Sequence, residues 1–163
     1  MKGRRDFFKN IIKPIKNKKE DKTFYPPYFN EILDFEKCKS CMDKPCVNIC
    51  EEKIIKIEKE KPILDFSKSG CSFCDKCANA CEEGVLDIKQ KKDIGYVKID
   101  ILKCIAWNKT VCSLCSDICE EKAIKFYGFF NPEIDIDLCN GCGFCLNICP
   151  TFAIDIKKGV LAV

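Results

Sequence analysis

Four short stretches of this chain repeat one pattern of apolar and polar positions. The segments CEEKIIKI from residue 50, CEEGVLDI from 81, CEEKAIKF from 119 and CPTFAIDI from 149 each open on a cysteine. Five and seven positions later they carry Ile55 and Ile57, Leu86 and Ile88, Ile124 and Phe126, Ile154 and Ile156. Alternation with period two predicts a short, half-buried strand in each. Position four is apolar as well (Ile54, Val85, Ala123, Ala153). A further strand is predicted ahead of each cysteine group, at residues 31–35, 62–66, 96–101 and 133–138. The unit is thus strand, cysteine loop, short helix, strand, repeated along the chain. No apolar run reaches seven residues, far below the ~18 that a membrane-spanning helix needs.

Between these strands lie 16 cysteines in groups of four, while histidine is absent. The groups are Cys38, Cys41, Cys46, Cys50; Cys71, Cys74, Cys77, Cys81; Cys104, Cys112, Cys115, Cys119; and Cys139, Cys142, Cys145, Cys149. The second and fourth read C-x2-C-x2-C-x3-C, and Pro150 follows the fourth. That is the run of bacterial two-cluster ferredoxins, in which three thiolates hold one iron–sulfur cube and the fourth reaches its neighbour. The first group widens its middle gap and the third its first gap, but all end with two cysteines four positions apart. If a helix opens there, those two thiols lie one turn apart and can serve different clusters. A tetrahedral zinc site prefers two separated C-x2-C knuckles. A disulfide framework needs an oxidising compartment and places neighbouring C-x2-C thiols poorly for pairing. Spacing therefore favours [4Fe–4S] clusters over both.

The longest gap between groups, Cys81 to Cys104, contains the polar residues 89–93, and the boundary between two modules is placed there. The swapped fourth cysteine then predicts four clusters. The first is held by Cys38, Cys41, Cys46 and Cys81, the second by Cys71, Cys74, Cys77 and Cys50. The third takes Cys104, Cys112, Cys115 and Cys149, the fourth Cys139, Cys142, Cys145 and Cys119. The predicted fold is α+β: two tandem bacterial 2[4Fe–4S] ferredoxin-like modules of short strands and helices, at 29–90 and 94–163. A basic tail and a stiff Pro-Pro joint, residues 1–28, precede them. Modules of about 60 residues are marginal on apolar burial alone, so metal binding is expected to supply much of the folding free energy. Phe73, Phe144 and Trp107 sit in or beside the cysteine loops, as shields for the clusters or as ordinary packing, which is favoured for Trp107. Gly141 and Gly143 are expected to let backbone approach a cluster.

The 163 residues carry 28 Lys and Arg against 25 Asp and Glu, but the charge is uneven. Residues 1–25 hold nine basic and three acidic residues, leaving 19 against 22 in the remainder. Each oxidised all-thiolate cube adds about −2, so the holo-core is acidic. It is then unsuited to nucleic acid and suited to a positively charged protein face. Within the tail, GRRDFFK approaches a twin-arginine export signal. The following NIIKPIKNKK is interrupted by lysines and proline where an apolar region should be, so export is disfavoured against a docking segment or a solvated tail. The usual glycine-rich dinucleotide and triphosphate loops are missing, as is imidazole chemistry.

The strings CIAWNKTVCSLCSDICEEKAIKF, CNGCGFCLNICPTFAI and CSFCDKCANAC, with the twin arginines and the Pro-Pro joint, resemble the NapF family. Its members are four-cluster ferredoxin-type proteins of the periplasmic nitrate reductase system. Glu51, Glu82 and Glu120 depart from ferredoxin motifs, which often place proline there. The resemblance implies a cytoplasmic accessory redox or maturation factor. It would meet the precursor of the molybdenum-containing catalytic subunit before export. The alternative is a general ferredoxin-type carrier or an electron-transfer subunit of a respiratory oxidoreductase, with redox protein partners. On either reading the chain is not an enzyme and has no catalytic residues of its own.

Overall fold

A computed structural model describes residues 23–29 and 31–158; the basic tail lies outside them. Each cysteine group folds in the same way. One turn of helix carries the third cysteine and stops just before the fourth: α1 (Pro45–Asn48), α2 (Lys76–Asn79), α3 (Leu114–Asp117) and α4 (Phe144–Ile148). The chain then turns on a residue with left-handed backbone three positions after the fourth cysteine. These residues are Lys53, Gly84, Lys122 and Phe152, with φ of 53°, 65°, 51° and 50°. Their N–H groups donate to the carbonyls of Cys50, Cys81, Cys119 and Cys149 at 3.0–3.2 Å. The turn aims the next side chain inward, so Ile54, Val85, Ala123 and Ala153 are at most 2% exposed. Three of the four turn residues are not glycine, so the sequence pattern does not announce this conformation.

The strands are β1 (Ile55–Glu58), β2 (Lys61–Leu64), β3 (Tyr96–Ile99), β4 (Ile124–Tyr127), β5 (Phe130–Ile134) and β6 (Ile154–Lys157). All pairings are antiparallel: β1 with β2, β4 with β5, and β3 with β6 in the register Val97↔Ile156 and Ile99↔Ile154. In the second half, the first and last strands therefore clasp each other around an inner hairpin. In the first half the hairpin is present, but its outer pair shrinks to the bridge Phe29↔Leu86.

Two predicted strands are consequently absent. Residues 31–35 fall in a 3-10 helix, Ile32–Lys39, capped reciprocally by Glu31 and Asp34. The turn sends Phe35 inward, where its ring centroid lies 4.9 Å from that of Tyr25 and 5.4 Å from that of Phe29. Residues 86–88 give way to a short 3-10 turn, Ile88–Gln90, because the Asp87 carboxylate accepts the Lys89 N–H. The fourth predicted strand, 133–138, shifts to Phe130–Ile134, since the Asp135 carbonyl then accepts the N–H groups of Leu138 and Cys139.

The Pro-Pro joint is part of the core rather than a link to it. Pro26, Pro27 and Tyr28 are almost fully buried, Phe24 bridges Leu64, and the carbonyls of Tyr28 and Pro27 accept N–H groups from Asp87 and Lys92 at 2.8 and 2.9 Å. One continuous apolar cluster runs from Phe24, Ile54 and Leu64 to Val97, Ile124 and Ile156, so the two halves share their core. Glycines make the close approach possible. A Cβ on Gly70 would lie 2.5 Å from the Phe144 nitrogen, and one on Gly143 would lie 2.4 Å from the Phe66 ring. Gly141 would meet the Gly95 backbone at 2.5 Å. The open faces of Gly141 and Gly143 therefore admit neighbouring segments of protein. Phe73 and Asp75 adopt the matching left-handed conformations in the second cysteine loop, so that loop shape does not require glycine.

The β1–β2 hairpin turns on Lys59 and Glu60, both left-handed (φ 48° and 64°). This two-residue geometry favours Asn-Gly, and a left-handed non-glycine residue costs roughly 1–2 kcal/mol. Glu60→Gly is expected to raise stability by up to about 1 kcal/mol once glycine's greater unfolded-state freedom is offset. A lowered midpoint in thermal unfolding of the holo-protein would contradict this.

Candidate iron–sulfur sites

The helices and left-handed turns sort the cysteines into four cavities. Cys38, Cys41, Cys46 and Cys81 line one, with about 380 Å³ of atom-free space, mouth included. Cys50, Cys71, Cys74 and Cys77 line a second, of about 400 Å³. Cys104, Cys112, Cys115 and Cys149 line a third, and Cys119, Cys139, Cys142 and Cys145 a fourth, each about 350 Å³. Every quartet joins three cysteines of one loop to the fourth of another. One-turn helices carry the exchange: Cys46 faces one cavity and Cys50 the next, as do Cys77 and Cys81, Cys115 and Cys119, Cys145 and Cys149. The thiols surround space instead of converging on a point. Among the described residues, no group of three or more metal-ligating side chains is gathered tightly enough to hold a single ion, as a tetrahedral zinc site with ~2.3 Å bonds requires.

Apolar side chains close the cavities. Tyr28, Ile54 and Leu64 line the Cys50 cavity; Ile99, Ala106 and Ile154 line the Cys104 cavity. Backbone N–H groups also reach sulfur, Leu86 to Cys81 Sγ at 3.4 Å and Ala153 to Cys149 Sγ at 3.2 Å. Such contacts stabilise negative charge on a ligand sulfur and tune its cluster. The widened gap of the third loop is tied off by Asn108, whose side-chain amide donates to the Cys104 carbonyl at 2.8 Å. Trp107 donates from Nε1 to the Pro132 carbonyl at 3.1 Å, pinning that loop to β5. Neither Trp107 nor Phe73 lines a cysteine cavity, whereas Phe144 lines the Cys119 cavity. Tyr28 was not singled out by sequence reasoning. It contacts the second loop by accepting the Asp75 N–H at 3.2 Å, and burial pushes its phenol well above the usual range. No local pattern marks it, because its partner is 47 residues away.

Burial, reinforced by neighbouring thiols, pushes Cys46, Cys71 and Cys115 up to about 11 and Cys77 up to about 12. Cys38, Cys142 and Cys145 shift the same way for the same leading reason. The metal-free fold thus holds protons that the unfolded chain releases near its ordinary thiol pKa, and it loses stability as pH climbs from there through 11–12. Iron binds thiolates, so cluster loading must expel these protons and is favoured by rising pH. Reconstitution yield is expected to increase between roughly pH 7 and 9, with proton uptake by a weakly buffered solution. A flat yield across that range would show that the thiols are already ionised.

A family model described as a 4Fe-4S binding domain matches residues 131–154, which hold the fourth cysteine group. The chain is 42% identical over 55 residues to the ferredoxin-type protein NapF of Escherichia coli K12, covering 31% of this chain and 34% of that protein. It is 39% identical over 69 residues to NapF of Haemophilus influenzae, covering 37% and 39%. A third match is the pyruvate synthase subunit PorD of Thermotoga maritima, 37% identical over 46 residues, covering 28% and 46%. The chain thus spans a little over a third of the length of the NapF proteins it matches. These similarities and the thiol cavities are those expected of ferredoxin-type iron–sulfur sites suited to [4Fe–4S] clusters. Among the described residues, no helix is long and apolar enough to cross a membrane.

Proposed function

We propose that this protein carries four [4Fe–4S] clusters, one for each cysteine quartet, in two tandem modules divided between residues 90 and 94. On this reading it is a cytoplasmic accessory redox and maturation factor for the catalytic molybdenum subunit of periplasmic nitrate reductase before export. The observation that carries the cluster count is the division of all 16 cysteines among four cavities with none left over. When bound, such clusters supply one-electron chemistry. The chain supplies four thiolates to each, apolar walls that limit water, and N–H groups aimed at Cys81 and Cys149. The reading gives the protein no substrate site. The nitrate reductase role rests on similarity to NapF over about a third of the chain. Similarity to a pyruvate synthase subunit favours a second reading, an electron-transfer subunit or general carrier.

Iron and acid-labile sulfide analysis of anaerobically purified protein tests the first part: about 16 of each per chain is expected. Zinc, or iron without sulfide, would overturn it. Capture of the precursor subunit by the holo-protein tests the second, with failure under conditions that retain all iron favouring the carrier. The tail and the cluster core are expected to be separable. Arg4→Ala combined with Arg5→Ala should leave iron content unchanged, so loss of clusters on that change would contradict the separation. Weakened precursor capture would assign the tail to docking.

A further inference from the structure

The four cavities are not equivalent in how they meet the rest of the molecule. Within each half, two adjacent cavities are joined by the one-turn helices that carry their exchanged cysteines. Between the halves, a backbone hydrogen bond joins two ligand candidates: the Cys71 N–H donates to the Cys142 carbonyl at 2.7 Å. Cys71 lines the Cys50 cavity and Cys142 the Cys119 cavity. Gly70, buried beside Cys71, leaves no space for a side chain, since an added Cβ would sit 2.5 Å from the Phe144 nitrogen and 2.7 Å from the Cys142 carbonyl oxygen. Phe66 closes the same seam against Gly143.

We infer that the Cys71–Cys142 contact is the electronic junction between the halves, and that Gly70 is the positioning residue that sets it. This rests on the four-cluster reading. It orders the quartets in space as Cys38, Cys71, Cys142, Cys104, not in their order along the chain. The Cys38 and Cys104 quartets become the two ends of the line, where external one-electron donors and acceptors exchange with the protein. With clusters bound in these quartets, each transfer across the junction would move one electron, the side that gives it up being oxidised by one and the side that receives it reduced by one. No bond forms or breaks and no proton moves. A short covalent and hydrogen-bonded path from one ligand sulfur through Cys71 N–H and Cys142 C=O to the other serves this step, in a low-dielectric seam.

The test uses full-length holo-protein reduced with dithionite, read by pulsed EPR for spin coupling between clusters of different halves. Iron and sulfide are counted first. Gly70→Ala is expected to retain about 16 iron and lose the coupling between halves while keeping the coupling within each. Gly84→Ala, a left-handed glycine with nothing within 4 Å of an added Cβ, controls for backbone strain and should keep both couplings. Full coupling in an iron-replete Gly70→Ala protein would overturn the junction. Should that variant lose iron, Cys142→Ser against Cys112→Ser decides: only the first should abolish coupling between halves, and equal effects would overturn the proposal. Wild-type protein with far fewer than 16 iron would instead sink the four-cluster reading on which the junction depends.

Discussion

Replacing Cys142 with alanine should remove one cluster and loosen the whole second half of the protein. Iron is expected to fall from about 16 to about 12 per chain, since a cube deprived of one of its four thiolates is lost or degraded. The destabilisation should reach several kcal/mol, because metal-binding energy in small domains is folding energy. The backbone of Cys142 is also committed: its carbonyl holds Cys71, and its N–H is taken by the Asn140 side chain at 3.0 Å. Alanine retains both bonds, so the effect isolates the sulfur. Iron analysis with far-ultraviolet circular dichroism during heating measures it. Unchanged iron and an unchanged melt would mean that Cys142 is not a ligand.

Removing all metal should have the larger effect. The second half buries few bulky side chains. Among its described residues, Val97, Ile124, Pro132, Ile154 and Ile156 are the larger buried aliphatics, beside the small Ala106, Ala123 and Ala153. Its strands are four or five residues long. Against a conformational-entropy cost of roughly 1–2 kcal/mol per residue, so little apolar burial leaves a module of about 60 residues unstable alone. The thiols of a metal-free fold would also occupy cavities with nothing at their centres. Chelated, anaerobically reduced protein is therefore expected to lose most amide protection from hydrogen exchange, and rebuilding the clusters should restore it. The shared core adds a sharper expectation. Because the apolar cluster crosses from Phe24 and Leu64 to Val97 and Ile156, the two halves should lose structure in one transition. Native-like protection in the metal-free protein would show that the core suffices, and two separate transitions would show that the seam couples weakly.

What could be read from the chain alone lies in short-range spacing. Three cysteines within nine residues or fewer on one loop, or twelve in the third group, must share a neighbourhood, and a fourth at one helical turn must face a different one. That spacing is the basis of the exchanged quartets proposed above; the structure lines each of four cavities with four cysteines. The alternation after Cys50, Cys119 and Cys149 likewise marks β1, β4 and β6, since a period of two needs no partner to be visible. It misled after Cys81, where Asp87 caps a turn, and at residues 31–35, where Phe35 is drawn into an aromatic cluster by Tyr25 and Phe29. Propensity yields to a side-chain cap from Asp87 in the first case and to aromatic contacts from the preceding segment in the second.

The sequence by itself determined the grouping of the cysteines, the four-position spacing that closes each group, and the repeated unit, all consequences of covalent spacing. Only the tertiary structure decided that Pro26, Pro27 and Tyr28 belong to the core, that Gly70 and Gly143 receive a neighbouring loop, and that Cys71 meets Cys142 across the seam. Those pairings join residues up to 77 positions apart, and steric fit between surfaces, which no local pattern encodes, selects them.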